Sequence, residues 1–240
     1  MKFLPIILLC SLIQLPLLGE QPAFVEKYRE EVVNRWEKEI QKMEALDQEE
    51  THPDDSILFV GSSSIRLWST IKEDMSPYHP IQRGFGGSKF SDLAIYADRL
   101  ITPHKFQAVV IFVANDISGK ETDKKPEEVA QFFKYFHGKI LDHNPDAHVF
   151  FIGITPTASR AAVWKDSRAA NTAIREICLN TENTHFIGTE SIYLDAEGNS
   201  KTELFRKDKL HLNETGYQLW AAAIKSQLDS VFNQTGKVKN

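Results

Sequence analysis

Five short apolar runs, at 57–60, 81–83, 108–113, 147–152 and 184–187, are separated by much longer stretches in which apolar residues recur at helical spacing. No other feature limits the chain so strongly. Strands that run in the same direction need a crossover of roughly a dozen residues or more, and a helix is the usual crossover. The alternation therefore implies a parallel sheet covered on both faces. Helices are expected at 92–100, 126–141, 159–180 and 214–232, and at 24–46 before the first strand. That leading stretch sets Val25, Tyr28, Val32, Trp36, Ile40 and Met43 on one stripe among charges, the pattern of a solvated helix with one packed face. The expected product is a three-layer α/β/α domain with a central parallel sheet of about five strands. The chain divides into a leader at 1–19, a helical extension at 20–50, the main domain at 51–233 and a frayed tail at 234–240.

Charge and composition narrow the partners. Lys and Arg number 28 against 33 Asp and Glu, a net charge of -5, and no basic cluster is present to replace counterions on a phosphate backbone. Nucleic acid is excluded as a partner on that ground. At the start, Lys2 precedes an apolar run from 3 to 18 that is broken by Ser11, Gln14 and two prolines. A spanning helix wants about 20 continuous apolar residues. The segment reads instead as a cleaved secretory signal ending near Gly19, which implies a secreted or periplasmic protein with no stable membrane span after cleavage. Cys10 would leave with the leader, so Cys178 has no internal disulfide partner and is expected to be a small buried hydrophobe. The eight His show no HExxH or paired-ligand spacing, so neither metal nor cofactor is expected. His104, His137, His143, His148 and His185 are expected on surfaces or helix ends.

In an open parallel sheet the loops that leave the carboxyl ends of the strands converge with helix N-termini, so the residues after each apolar run carry the chemistry. After the first run, Gly61 is followed by Ser62, Ser63 and Ser64 at the start of a helix, where a hydroxyl meets free backbone donors and the positive end of the helix dipole. Alone, that is an ordinary N-cap. Far downstream lies Asp208-Lys209-Leu210-His211, in which a carboxylate three residues before an imidazole can fix its tautomer and leave the second ring nitrogen for a serine proton. A serine nucleophile also needs donors aimed at the developing oxyanion. Gly87 can offer a backbone N–H at close approach, and Asn115 a side-chain amide.

Four such signals in this order, each at a strand exit, resemble the SGNH/GDSL hydrolase superfamily, whose four blocks contribute Ser, Gly, Asn and His. The blocks here read FVGSSSIRLW, RGFGGS, FVANDI and DKLH, and the resemblance spans about residues 56–232. It implies a flavodoxin-like SGNH fold, with Ser63 as nucleophile, Asp208 and His211 as the rest of a triad, and Ser63, Gly87 and Asn115 as the oxyanion hole. Ser62 replaces the usual Asp of the first block, and Val113 stands where many members have Gly. Ser64 is the rival nucleophile if the register shifts by one. The GxSxG elbow of α/β-hydrolases is absent, because Ile65 occupies the second glycine position.

The chemistry implied is ester hydrolysis through an acyl-enzyme, on a small ester or an acylated glycan, with a short acyl group such as acetate. Lysophospholipids and thioesters are alternatives within the superfamily. Arg66, Arg83 and Arg160 follow strands and could read an anionic group, although a bridge to a carboxylate is the more ordinary role for each. Trp68 is expected in the core, and Trp164 could stack on a sugar ring. A reading from another class is a non-catalytic module that holds phosphate or sulfate at the Ser62 to Ser64 loop. That reading leaves Asp208 and His211 without a role.

Overall fold

The computed structural model describes residues 21–235. The expected leader at 1–19 and most of the tail lie outside the described residues. Elements follow in the order α1 Ala23–Glu26, α2 Arg29–Glu49, β1 Ile57–Gly61, α3 Ser63–Arg66, α4 Ile71–Asp74, β2 Pro80–Gly84, α5 Phe90–Ile95, α6 Ala97–Ile101 and β3 Ala108–Phe112. The second half runs α7 Pro126–His143, β4 His148–Ile152, a 3-10 turn at Ala158–Val163, α8 Trp164–Leu179, β5 Thr184–Ile187, α9 Glu190–Tyr193 and α10 Glu214–Thr235.

All five strands pair in parallel in the order β2-β1-β3-β4-β5, as the apolar runs require. Every residue of β1 and of β3 is buried, the signature of strands covered on both faces. One helical layer packs α5 against α7 and α7 against α8. Its contact with the sheet is aromatic, with Phe90 and Phe133 on Phe151 at 6.0 and 5.4 Å between ring centroids. The other layer centres on α10, whose Trp220 meets Phe112 at 4.7 Å and Trp68 at 5.7 Å. Trp68 is fully buried, as expected. Among the described residues no helix is long and apolar enough to cross a membrane.

Three expected single helices are each broken in two. The stretch at 24–46 divides at Lys27 and Tyr28, that at 92–100 divides at Tyr96, and that at 159–180 begins as a 3-10 turn in which Arg160 leaves helical φ/ψ at -121° and 21°. Apolar periodicity runs through each break, so the sequence pattern carries no sign of it. The apolar stripe of the leading helix is its packed face: Val32, Trp36, Ile40 and Met43 are buried in the common core, while charges of α2 and of the residue that follows it pair within the fold, Glu37 and Glu44 with Arg99, Asp47 and Glu50 with Arg83.

The expectation for the histidines needs correction. His104 and His137 are buried, and His148 and His185 lie half-buried on β4 and β5 with their rings stacked at 5.3 Å; His143 alone of the five ends a helix. Burial drives the His104 imidazole down to about 4, against the attraction of Asp47, so it is neutral at ordinary pH. His137 instead meets the Thr184 hydroxyl at 2.8 Å. Cys178 is buried as expected, and burial pushes its thiol up to about 12.

Candidate active site

The chain passes from β1 to β2 on one side and returns to β3 on the other side of β1, so a crevice opens outside the carboxyl ends of β1 and β3. Ser63 leaves β1 and Asn115 leaves β3 at that crevice, and Gly87 follows β2 beside it. Gly61 makes the close fit of the two central strands possible. It sits at φ +146°, and a Cβ there would lie 2.0 Å from the Phe112 carbonyl oxygen. Only glycine fits the position. Immediately after it, the buried Ser62 donates its backbone N–H to that same carbonyl at 3.0 Å, and its own carbonyl accepts the amides of Ile65 and Arg66. These bonds open α3 with Ser63 as its first residue.

The DKLH segment is a tight turn just before α10. Lys209 adopts a left-handed φ of +54°, uncommon for a residue with a side chain, and the turn lets Asp208 fold back on its successors. Asp208 Oδ1 accepts the backbone N–H of Leu210 and of His211, both at 3.0 Å, while Oδ2 meets His211 Nδ1 at 2.7 Å. Partial burial raises the Asp208 carboxyl, but the ring and backbone hydrogen bonds outweigh it and bring the group down to about 2. With Nδ1–H donating to a carboxylate, Nε2 is left as the acceptor, and it lies 2.9 Å from Ser63 Oγ. The imidazole thus meets Ser63 rather than Ser64, whose carbonyl instead accepts the Tyr217 hydroxyl at 2.8 Å.

The donor side is built differently. Asn115 Nδ2 donates to the Ser88 carbonyl at 3.1 Å, and a Cβ on Gly87 would stand 3.9 Å from that nitrogen. Neither the Ser63 nor the Gly87 N–H is hydrogen-bonded to another described residue. The orientation of the Asn115 amide is set from behind by Arg160, whose guanidinium donates to Asn115 Oδ1 and to the Ala114 carbonyl. Arg160 was expected to bridge a carboxylate or read an anion; among the described residues it bridges no carboxylate. Its burial lowers its own pKa, and its hydrogen bonds go to neutral oxygens. Sequence reasoning singled out the residue and missed this task, which only tertiary packing creates. Arg83 does bridge carboxylates, Asp47 and Glu50, at 2.6 and 2.8 Å, while Arg66 is exposed.

Beneath the donors lies an ion pair with no counterpart in the motif reading. Lys124 Nζ stands 3.0 Å from Asp116 Oδ1 with both side chains at 4% exposure or less, and Asp116 Oδ2 accepts the Phe90 N–H at 2.9 Å. The pair ties the loop after β3 to the start of α5. Ser63, Asn115, Thr155, Arg160, His211 and Trp220 line a cavity of about 30 Å³. On the same measure one water takes roughly 10–15 Å³, so the cavity has room for about two waters. Thr155 Oγ1 and Trp220 Nε1 are buried on its wall and have no hydrogen-bond partner among the described residues. Beyond Thr157 the surface continues into a groove of about 300 Å³ formed by Pro156, Trp164, Asn199, Ser200 and Thr202 among others. Among the described residues no group of three or more His, Cys, Asp or Glu could hold a metal ion.

A serine, an imidazole held by a carboxylate, and free amide donors form an arrangement suited to acyl transfer. Similar folds include the structure described as a platelet activating factor from Streptococcus pneumonia, at 20% identity and a TM-score of 0.72 over 85% of this chain and 97% of that one. A GDSL-like lipase from Bacteroides thetaiotaomicron matches at 14% identity and a TM-score of 0.65, covering 80% of this chain and 98% of that one. An acetyl xylan esterase matches at 20% identity and 0.60, covering 72% and 98%. No curated protein matches the chain in sequence. The GDSL-like Lipase/Acylhydrolase family model, however, matches residues 55–219, from just before β1 into α10. The chain is a member of the GDSL-like lipase/acylhydrolase family, with the three-layer SGNH hydrolase fold.

Proposed function

We propose that the protein is a serine esterase that hydrolyses short-chain acyl esters, chiefly acetyl esters of carbohydrate alcohols. The observation that carries the reading is the unbroken relay of Asp208, His211 and Ser63, with contacts of 2.7 and 2.9 Å. Ser63 Oγ attacks the acyl carbon as its proton passes to His211 Nε2. The carbonyl oxygen, now carrying the negative charge, is held by the N–H groups of Ser63 and Gly87 and by Asn115 Nδ2. Collapse of the tetrahedral intermediate breaks the bond to the alcohol oxygen, which takes the proton from Nε2, and leaves the acyl group on Ser63. Water then repeats the steps in reverse roles and releases the carboxylic acid. Asp208, ionised throughout, stabilises the transient imidazolium.

Support for a short acyl group comes from the small cavity beside Ser63. The neighbouring groove combines a half-buried indole with hydroxyl and amide side chains and has no charged residue among those that line it, a lining suited to a sugar ring. The apolar, Lys2-led segment supports export. A series of p-nitrophenyl esters tests the reading: acetate should be turned over at least ten times faster than octanoate, and Ser63→Ala should abolish both. Equal rates for the two esters would contradict the short-acyl reading. Activity that survives Ser63→Ala would contradict the nucleophile and return attention to an anion-binding module.

A further inference from the structure

Trp36 stands on α2, ahead of the segment at 55–219 that the family pattern covers, yet it touches the loop that carries Gly87. That loop, between β2 and α5, has no regular secondary structure of its own, so its shape depends on what packs against it. Two adjacent glycines divide the work. Gly86 holds φ at +30°, and a Cβ there would fall 2.2 Å from Trp36 Cη2 and 2.4 Å from Cζ3, so the indole occupies the space a side chain would need. Gly87, the next residue, faces Asn115 instead. Phe85 meets the same indole edge-on at 5.3 Å.

The polar contacts repeat the pattern. Trp36 Nε1–H donates to Asp92 Oδ2 at 2.9 Å, and the same carboxylate oxygen accepts the Lys89 N–H that begins α5, also at 2.9 Å. Opposite them, Ser88 donates its hydroxyl to the Gly61 carbonyl at 3.2 Å and accepts from Asn115 through its own carbonyl. Four residues are thus gripped between the exits of β1 and β3 and one indole from the leading helix.

We propose that Trp36 is a positioning residue for ester hydrolysis, holding the Gly87 N–H where the oxyanion develops; the proposal rests on the esterase reading above. An oxyanion donor acts only if it is in place before charge develops, and a displacement of about 1 Å can cost on the order of 100-fold in rate. The leading helix is then part of the working apparatus and not a separable extension.

The test uses the full chain with p-nitrophenyl acetate, well below each variant's melting temperature. Trp36→Ala should lower kcat by about 10- to 100-fold with KM within about threefold, because the lost contact acts on the transition state. Trp36→Phe keeps a ring against Gly86 and loses only the bond to Asp92, and should lie between. Met43→Ala, two turns along the same buried stripe, should lower the melting temperature and leave kcat within about twofold. Should Trp36→Ala fail to fold, Trp36→Phe against Met43→Ala decides the matter. A kcat within twofold of wild type in every folded Trp36 variant, or an equal fall in Met43→Ala, overturns the positioning role. Absence of Ser63-dependent hydrolysis in the wild type would overturn the esterase reading itself, a separate and distinguishable result.

Discussion

The two halves of the site are held in opposite ways. The base half is a surface turn: Asp208 has 47% of its side chain exposed and His211 22%, and their bonds to each other span only three residues. The donor half is long-range: Gly87, Asn115 and Arg160 are half-buried like His211, but the loops after β2 and β3 are held by the buried Trp36, Asp92, Asp116 and Lys124, from elements distant in the chain. The difference suits the proposed task. A general base must pick up and release protons and meet an incoming water, so access to solvent serves it. Oxyanion donors are effective only when fixed beforehand in a water-poor setting. Short-range bonds can set one tautomer, whereas fixing three amides from three strand exits takes the core.

This contrast can be broken at either end. The largest effect is expected for His211→Ala, a loss of about 10⁴-fold or more in kcat with an unfolding free energy within about 1 kcal/mol of wild type. Paired activity and denaturant measurements check both halves of the statement. Next is Lys124→Met, which strands the Asp116 carboxylate in the core and should cost roughly 3–5 kcal/mol in denaturant unfolding. A loss under about 1 kcal/mol would show that the donor half does not depend on its buried pair. Asn115→Ala should lower kcat by about 10²–10³-fold with little change in KM, read from steady-state kinetics.

The smallest effect is electrostatic and has opposite signs in the two halves. Asp208 titrates near 2 in the folded protein against an ordinary 3.8, so its contribution to stability is present above the ordinary value and fades as the pH falls through about 2. Burial raises Asp92, so its linkage runs the other way: stability is fully present below its unfolded value and is lost as the pH rises through its folded one. The gap in unfolding free energy between wild type and Asp208→Asn should therefore narrow from pH 5 to pH 2. For Asp92→Asn the pH-dependent part should move in the opposite sense.

Legibility in the sequence follows the same division. The sheet could be read because buried parallel strands are continuous apolar runs, and the base turn because Asp208 and His211 are near neighbours in the chain. Ser63, Gly87 and Asn115 could be placed at strand exits because the fold class dictates where strands end. Arg160 on Asn115, Trp36 on Gly86 and Lys124 on Asp116 could not, because each pairs residues joined only by the finished packing. The adjacent Gly86 and Gly87 are the one local hint that something approaches that loop closely. Helix breaks at Tyr28, Tyr96 and Val163 were hidden for a related reason, since periodicity records which face is buried and not whether the backbone turns. Burial of His104 and His137 depends likewise on neighbours distant in sequence.

The central claim is that His211, oriented by Asp208, activates Ser63. Labelling with a fluorophosphonate probe, followed by peptide mapping of the wild type and of His211→Ala, tests it most directly. The account predicts a single adduct on Ser63 that disappears on denaturation and in His211→Ala. An adduct on Ser64, equal labelling without the imidazole, or no adduct on folded protein would contradict it.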